Sequence, residues 1–316
     1  MKRVLRRQRG AALLAAMLTV ALVATFAAAA VWQQWRATEV EAAERVRVQT
    51  AWILIGALDW SRLILREDGI AGNTDHLAEP WAVPLQESRL STFLAADRSM
   101  ADASASTADA QEAFLSGRIV DAQSKLNLSN LVGHDRKIDA ATLAQFTRLF
   151  ALLGLPASQL TSLAQNLLLA SDGSASGAPL MPQKLQDLGW LGLPPATIAA
   201  LAPYATVLPA RTTVNVNTAG AEVLYASAPK LQIAQARQFV GLRDTVQFDT
   251  LLAAGKRLGD ESLFTQGAHD VRSNYFEVQG RLRIDQFAVE EHSLVFRTGI
   301  VVRTIWRERG PAPADE

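Results

Sequence analysis

Residues 1–31, MKRVLRRQRGAALLAAMLTVALVATFAAAAV, decide how the rest of this chain is interpreted. The first nine residues are strongly basic and contain no acidic residue, and the uncharged run from Ala11 to Val31 follows Gly10. As an α-helix rising about 1.5 Å per residue, that run is roughly 31 Å long, which matches the roughly 30 Å hydrocarbon core of a bilayer. The sequence therefore predicts one membrane crossing, with the basic end on the cytoplasmic side.

The apolar run continues into a long helix. Between Trp32 and Glu67 there is no proline and one glycine, Gly56, and good helix formers are abundant. Residues recur at spacings of three and four on one face: Val40, Ala43, Arg47, Ala51, Leu54 and Leu58. We predict one helix, membrane-buried over 11–31 and amphipathic to residue 66. The alternative is a secretory signal peptide cut near residues 27–30, although such peptides usually have a shorter apolar stretch of about 7 to 15 residues.

Composition excludes several classes of protein and site. The chain has no cysteine, so disulfides, thiolate metal sites and a cysteine nucleophile are excluded. Lysine plus arginine equals aspartate plus glutamate, at 31 each, so net charge favours neither nucleic acid nor a cationic partner. With 49% hydrophobic residues among 316, the chain is long and apolar enough for one large domain or two modest ones.

The part that follows the long helix alternates between strand and helix patterns. Residues 117–131, GRIVDAQSKLNLSNL, predict two short strands around a turn. Residues 138–170 have helical periodicity with a break at 154–156, and short helices follow within 185–201. Three C-terminal strands are predicted from alternating patterns over Tyr275–Ile284, Phe287–Glu290 and Leu294–Trp306. The tail from Arg307 is polar and is expected to be disordered.

Residues 214–243 resemble a helix-hairpin-helix unit. We expect Asn217 or Thr218 to cap its first helix, and the second helix to cover Ile233–Arg243 with Ala236 packed against the first. DNA-binding units of this kind use a Gly-hydrophobic-Gly hairpin to bring backbone N–H groups to phosphate. Here the hairpin is Pro229-Lys230-Leu231. A structural or protein-binding role is therefore favoured over DNA binding, and arginines 237 and 243 are interpreted as a solvated face.

The basic leader that ends at Gly10 resembles those of type IV pilins and pseudopilins. Two further segments, DHLAEPWA at 75–82 and the 117–131 stretch, look like signatures of K-type minor pseudopilins of type II secretion systems, the general secretion pathway protein K family. The resemblance implies that prepilin peptidase cuts between Gly10 and Ala11 and that Ala11 becomes the methylated amino terminus. The fifth mature residue is usually Glu, but here it is Ala15, and K-type subunits characteristically lack that Glu. A generic single-pass anchor, in which Gly10 has no special role, is the alternative.

The resemblance implies an α+β fold, in which a pilin-like long N-terminal helix packs on a small antiparallel sheet. A large α-helical domain with helix-hairpin-helix (SAM-like) character interrupts that sheet. The expected parts, in chain order, are a leader (1–10), a transmembrane segment (11–31) continuing as an amphipathic helix to 66, the first part of the pseudopilin domain (67–137), the inserted α-domain (138–270), the C-terminal strands (271–308) and a disordered tail (309–316).

The resemblance also implies function. It indicates a single-pass protein of the bacterial inner membrane whose body lies in the periplasm and which nucleates or caps a pseudopilus tip for protein export across the outer membrane. The implied partners are I- and J-type minor pseudopilins and prepilin peptidase. A membrane-tethered DNA-binding protein of an uptake system is the alternative function, and an exported hydrolase is a third that no motif supports.

Neither catalysis nor a cofactor is predicted. The four histidines (His76, His134, His269 and His292) are scattered, and there is no HExxH, GxSxG, Walker or dinucleotide motif. Some relatives bind calcium, which needs six to eight oxygen ligands. The oxygen donors near the early loops are Asp68, Asp75, Asp121 and Asn127, but they lack calcium-loop spacing. We therefore expect no metal and interpret these residues as solvated turn residues.

Overall fold

A computed structural model describes residues 9–90, 113–172, 177–243, 245–284 and 287–312, with backbone only for residues 9 and 10. The chain divides into two compact units, residues 1–55 and residues 56–316, and the second is called the body below. The α-helices are α1 (Arg9–Ala71), α2 (Ala140–Leu152), α3 (Ala157–Ser171), α4 (Pro195–Leu201), α5 (Ala221–Ser227), α6 (Ile233–Arg243) and α7 (Leu251–Arg257). The strands are β1 (Leu85–Arg89), β2 (Ala113–Asp121), β3 (Leu126–Asn127), β4 (Ala205–Thr206), β5 (Val214–Asn215), β6 (His269–Asp270), β7 (Tyr275–Ile284), β8 (Phe287–Thr298) and β9 (Val301–Pro311).

The long helix is present: α1 is 63 residues long and has no break. Five residues beyond the predicted end at 66 are also helical, up to Ala71. Within the body, α1 contributes Leu58 and Leu65 to a core that also contains Trp81, Ile119 and Phe276. This end of α1 is thus held by apolar burial, as helices of this type are in most folded domains.

The body contains a five-stranded antiparallel sheet with the order β1-β2-β7-β8-β9. Alternation along β7 places Phe276, Val278, Leu282 and Ile284 in the interior, as predicted from its pattern. The predicted third strand, Leu294–Trp306, is in fact two strands, because Gly299 takes a positive φ of 56° in the turn between β8 and β9. Glycine allows that conformation without steric cost.

The two short strands predicted around a turn within residues 117–131 correspond to β2 and β3, but these two strands do not pair with each other. β2 pairs with β7 along nine residues, whereas β3 pairs in parallel with β4. Two 3-10 turns, Ala122–Ser124 and Leu128–Leu131, separate and follow these strands. Asp121 and Asn127 cap those turns by accepting from backbone N–H groups two residues on, so the chain leaves the sheet here instead of folding back.

A helical block is inserted between β2 and β7. Its buried apolar side chains form one cluster that runs from Leu126 to Val271 and includes Phe146, Phe150 and Phe239. The predicted break at 154–156 separates α2 from α3, and Asp139 caps α2 by accepting from the Thr142 N–H at 2.7 Å. Two parallel bridges, β3 with β4 and β5 with β6, join segments of this block.

The polar tail was predicted to be disordered from Arg307, and this prediction is wrong for residues up to Pro311. These residues extend β9, and each pairs with a residue of β8, from Ser293 opposite Arg307 to Val289 opposite Pro311. Arg309 also binds the carboxylate of the buried Glu291, at 2.9 Å from Nε. That ion pair stabilises the end of β9, although the polar composition of this segment had predicted disorder. Residues 313–316 lie outside the described part of the chain.

Candidate functional site

The first candidate site is the apolar part of α1. Its large side chains are mostly solvent-exposed: Leu13, Leu14, Met17 and Leu18 are each between 63% and 69% accessible. By length and composition, α1 is the one helix in the described ranges that could cross a membrane, with a mean hydropathy of 2.3 over its most apolar window. Exposed apolar surface on this scale needs lipid or protein partners.

The predicted processing site lies at the start of this helix. Gly10 and Ala11 are both helical, and Ala15 lies one turn further on with its side chain exposed. Residues 1–8 of the predicted leader lie outside the described part of the chain. Cleavage between Gly10 and Ala11, and the meaning of Ala15, therefore stay predictions.

The segment of α1 beyond Trp35 combines charge pairs with exposed apolar side chains. Glu41 and Arg45 form an ion pair at 3.0 Å across one helical turn. On the amphipathic face predicted for this segment, Val40 is 57% exposed, whereas Leu54 is 2% exposed. Val40 is therefore available to a partner, and Leu54 is not.

The second candidate site is a buried charge centre around Arg297, which sequence reasoning missed. The Arg297 guanidinium donates to the carboxylates of Asp68, at the end of α1, and Asp75, in the following loop. It also donates to the carbonyl oxygen of Ser273 at 3.1 Å, just before β7. Arg297 thus connects the end of the long helix, the loop after it and the return of the chain from the helical block. A sequence signal was present, because Arg297 occupies the inward register of β8, two residues after the buried Val295.

Burial perturbs the acids of this centre. Desolvation, followed by the nearby Glu79 carboxylate, raises the pKa of Asp68 to about 6. The pKa of Glu79 is also raised, chiefly by burial, although Glu79 accepts hydrogen bonds from the His76 backbone N–H and the Trp81 indole. The segment DHLAEPWA is therefore a loop whose acids face Arg297 and whose Trp81 enters the sheet core.

A neighbouring polar network is centred on Asp121, at the end of β2. Its Oδ2 accepts from Thr218 Oγ1 at 2.5 Å, Ser273 Oγ at 2.6 Å and Asn215 Nδ2 at 3.1 Å. Complete burial raises the pKa of Asp121 to about 6. The three donors come from the helix-hairpin-helix region and from the segment before β7. The chain leaves the sheet at Asp121 and returns to it after Ser273. The hydrogen bonds to Asp121 therefore stabilise both connections between the sheet and the helical block.

The interpretation of the early-loop oxygen donors as solvated turn residues is wrong, because Asp75, Asp121 and Asn127 are only 2% to 3% exposed. Asp68, Asp75 and Glu79 each have an oxygen within 4.8 Å of the others, but Arg297 already supplies cationic charge to two of these acids. Asp121 belongs to the network described above. The fourth donor, Asn127, binds backbone groups of Leu208, Ala210 and Ser129. These oxygens therefore accept hydrogen bonds from other groups of the body, and the expectation that no metal binds stays a prediction.

The hairpin of the helix-hairpin-helix unit is held by an arginine of α2. Arg148 donates to the carbonyl oxygens of Tyr225, Pro229 and Leu231, so hairpin carbonyls face a guanidinium. The predicted caps are wrong, because Gly220 stands at the N-cap of α5. Asn217 and Thr218 instead bind Phe248 and Asp121. DNA binding is not favoured.

Arg243 and the buried histidine are both structural. Arg243 was interpreted as solvated but donates to the carbonyl oxygens of Val216, Thr218 and Ala219. His269 Nε2 lies 3.1 Å from Ser227 Oγ, yet both residues are at most 2% exposed. A substrate could not reach that pair. Ala236 is fully buried in the core of the block, as predicted.

Comparisons with known proteins agree on one family. Family models described as type II secretion system protein K match residues 124–210 and 214–269. The type II secretion system protein K of Klebsiella pneumoniae is 30% identical over 274 residues, which cover 78% of each chain. The protein of the same name from Pseudomonas aeruginosa is 28% identical and covers 96% of this chain and 90% of its own.

A solved structure supports the fold. A chain of the GspK-GspI-GspJ complex from the type 2 secretion system of enterotoxigenic Escherichia coli matches with a TM-score of 0.64 and 16% identity. The match covers 85% of this chain and 99% of the other. The predicted fold class, a long N-terminal helix with an antiparallel sheet and additional helices, is thereby confirmed.

Proposed function

Because this chain belongs to the type II secretion system protein K family, we propose that it is a minor pseudopilin at the tip of the secretion pseudopilus. The observation that carries the proposal is α1, whose apolar first half is exposed and whose second half leads into a folded body. In this proposal residues 11–31 anchor the protein in the inner membrane, and the body lies in the periplasm.

Assembly is mechanical in this proposal. The part of α1 beyond Trp35 packs with helices of I- and J-type minor pseudopilins, and the helical block caps the tip. The likeness to a chain of a GspK-GspI-GspJ complex supports these partners. Non-enzymatic action fits the family, and His269 and Ser227 are buried together without access for a substrate.

Ala15 supports a position without a predecessor in the filament. A carboxylate within the bilayer costs about 2.5 to 3.5 kcal/mol on insertion scales unless a partner neutralises it. With alanine at this position, insertion carries no such cost and no pairing group from an earlier subunit is needed. Prepilin peptidase cuts between Gly10 and Ala11 in this proposal, and Ala11 becomes the mature start.

Val40 gives the test of assembly. Because Val40 is exposed, Val40→Asp puts a charge into the helix interface without disturbing the body. We expect co-purification with I- and J-type subunits to fall about tenfold or more, equivalent to at least roughly 1.4 kcal/mol. Thr38→Asp, which adds the same charge on another face of α1, is the control. Unchanged association of the Val40 variant would contradict the helix-packing mechanism.

Amino-terminal sequencing of the purified native protein tests processing separately. We expect the mature chain to begin at Ala11. A start near Val31 would identify a removed signal peptide and would overturn the membrane-anchored tip subunit.

A further inference from the structure

The two edges of the body sheet differ in length and protection. β1 is five residues long and has an irregular register with β2. β9, at the other edge, is eleven residues long, and no strand in the described ranges pairs with its outer side. Long open edges present unpaired N–H and C=O groups that can pair with another chain.

Both ends of the β9 edge are protected, and between them the register with β8 shifts once, at Ile305. Arg62 of α1 donates to the carbonyl oxygen of Val302 at 2.8 Å and 3.2 Å, which takes up an edge acceptor at the start of the strand. Pro311 at the other end has no N–H to offer. Residues 303–310 lie between these ends.

An apolar groove runs beside this open stretch. It has a volume of about 690 Å³ and lies between Ile305 and Trp306 of β9 and two segments of the helical block, residues 181–183 and 207–211. Lys184 holds one wall in place, because its ammonium lies 5.0 Å from the Trp306 ring centroid and 2.6 Å from Glu308. Ile305 and Met181 are 43% and 40% exposed.

The charged side chains of β9 indicate which kind of partner strand could pair with its open edge. β9 carries three arginines, Arg303, Arg307 and Arg309, and one acid, Glu308. Arg307 and Arg309 lie 3.8 Å and 2.5 Å from the carboxylate of the buried Glu291, so two guanidinium groups share one acid and leave one positive charge on that face. Trp306 lies opposite Leu294, and Arg307 lies opposite Ser293, so these two β9 side chains point to opposite faces of the sheet. An added strand with apolar residues on the Trp306 face and acidic residues on the Arg307 face complements both. Pairing with a second copy of β9 would instead place arginines against arginines, which is unfavourable.

The geometry points to the β9 edge and its groove as a docking surface for an extended, alternating apolar and acidic segment of a partner protein. The segment adds a sixth strand to the sheet and places its apolar side chains against Ile305 and Trp306. This surface goes beyond the proposed function, in which assembly uses α1. Its failure would leave the helix-packing test at Val40 unaffected.

A short capped peptide of alternating valine and glutamate is the probe, added with a fluorescent label to the full chain in detergent micelles. We expect saturable binding by fluorescence anisotropy. Ile305→Asp should weaken binding about tenfold, because it places a charge in the apolar groove, and Arg307→Gln should weaken it several-fold at low salt.

Two control variants distinguish a loss of docking at the groove from a general loss of folded structure. Ile300→Asp changes a similarly exposed isoleucine in the β8–β9 turn, outside the groove, and Arg237→Gln changes an arginine on α6. Both should bind like the parent chain. A lysine-valine peptide should bind at least about tenfold more weakly, because its charges face Arg307.

Three results would overturn the proposal. They are no saturable binding to the parent chain, equal binding by the Ile305→Asp variant, and equal binding of the lysine-valine peptide. Because the chain has no native cysteine, Ile305→Cys also reports self-pairing. A disulfide-linked dimer formed at micromolar concentration in place of peptide binding would assign the edge to a second copy of this chain.

Discussion

The first unit and the body use the same apolar residue types in opposite ways. Leu14 in the first half of α1 is 68% exposed, whereas Leu128 in the helical block is fully buried. The body contains the partners that its leucines need, in a cluster that spans residues 126–271. No described residue of the first unit belongs to that cluster, and the exposed apolar side chains in the first half of α1 require lipid or other subunits. The body, including the end of α1, should therefore fold on internal contacts, and the exposed first half of α1 should be stabilised by its environment.

Removal of Arg297 should have the largest effect on the body. Arg297→Ala leaves Asp68 and Asp75 largely buried without their cation, and we expect the free energy of unfolding to fall by about 3 to 5 kcal/mol. Chemical denaturation of the full chain in micelles, followed by tryptophan fluorescence, measures this loss. Arg283→Ala breaks the half-exposed pair with Glu87 and should cost less than about 1 kcal/mol. Equal effects of the two variants would refute a stabilising buried centre.

Two leucine-to-alanine variants, one in the body and one in the first unit, test how the two regions differ. Leu128→Ala opens a cavity in the helical block, so the free energy of unfolding of the body should fall by about 2 to 5 kcal/mol. Leu14→Ala removes the same atoms from an exposed position, and the same denaturation curve should stay within about 0.5 kcal/mol of the parent. If Leu14→Ala destabilised the body as much as Leu128→Ala, the two regions would share one core.

The smallest effect at neutral pH is expected at His269. Desolvation by burial lowers its pKa from 6.5 to about 4, and Nδ1 accepts from the Thr265 N–H. The unfolded chain therefore binds the proton first. The contribution of neutral His269 to stability is present above pH 6.5 and is lost as pH falls towards 4. In His269→Gln, which does not titrate, this part of the pH dependence should disappear.

The measurement for His269 is the difference between parent and variant unfolding free energies from pH 7 to 4. Taking the difference is necessary because the raised pKa values of Asp68 and Asp121 act in the opposite direction, with stability lost as pH rises through about 6. A parent-minus-variant difference that stayed constant across this range would show that His269 does not remain neutral in the folded body.

Local patterns predicted the helices well and the strand partners poorly. α2, α3 and α6 follow from periodicity, and β7 has the predicted bounds, because each pattern is contained within one segment. β1 and α7 were not predicted. The two strands predicted within 117–131 are present but do not pair with each other, because β2 pairs with a strand that follows the helical block in the chain. A strand pattern records which face is buried but does not identify the neighbouring strand.

The candidate sites also divide into features that are local in the sequence and contacts that only folding creates. The apolar run at 11–31, the Gly10 junction and Ala15 are local features, so the sequence alone determined an anchored helix and the family resemblance. The centre at Arg297 unites an arginine and an acid that are 229 residues apart in the chain. Asp121, Asn215 and Ser273 are likewise brought together only by folding. The tertiary structure decided these contacts, and also the open edge of β9, because burial and strand order depend on how distant segments pack.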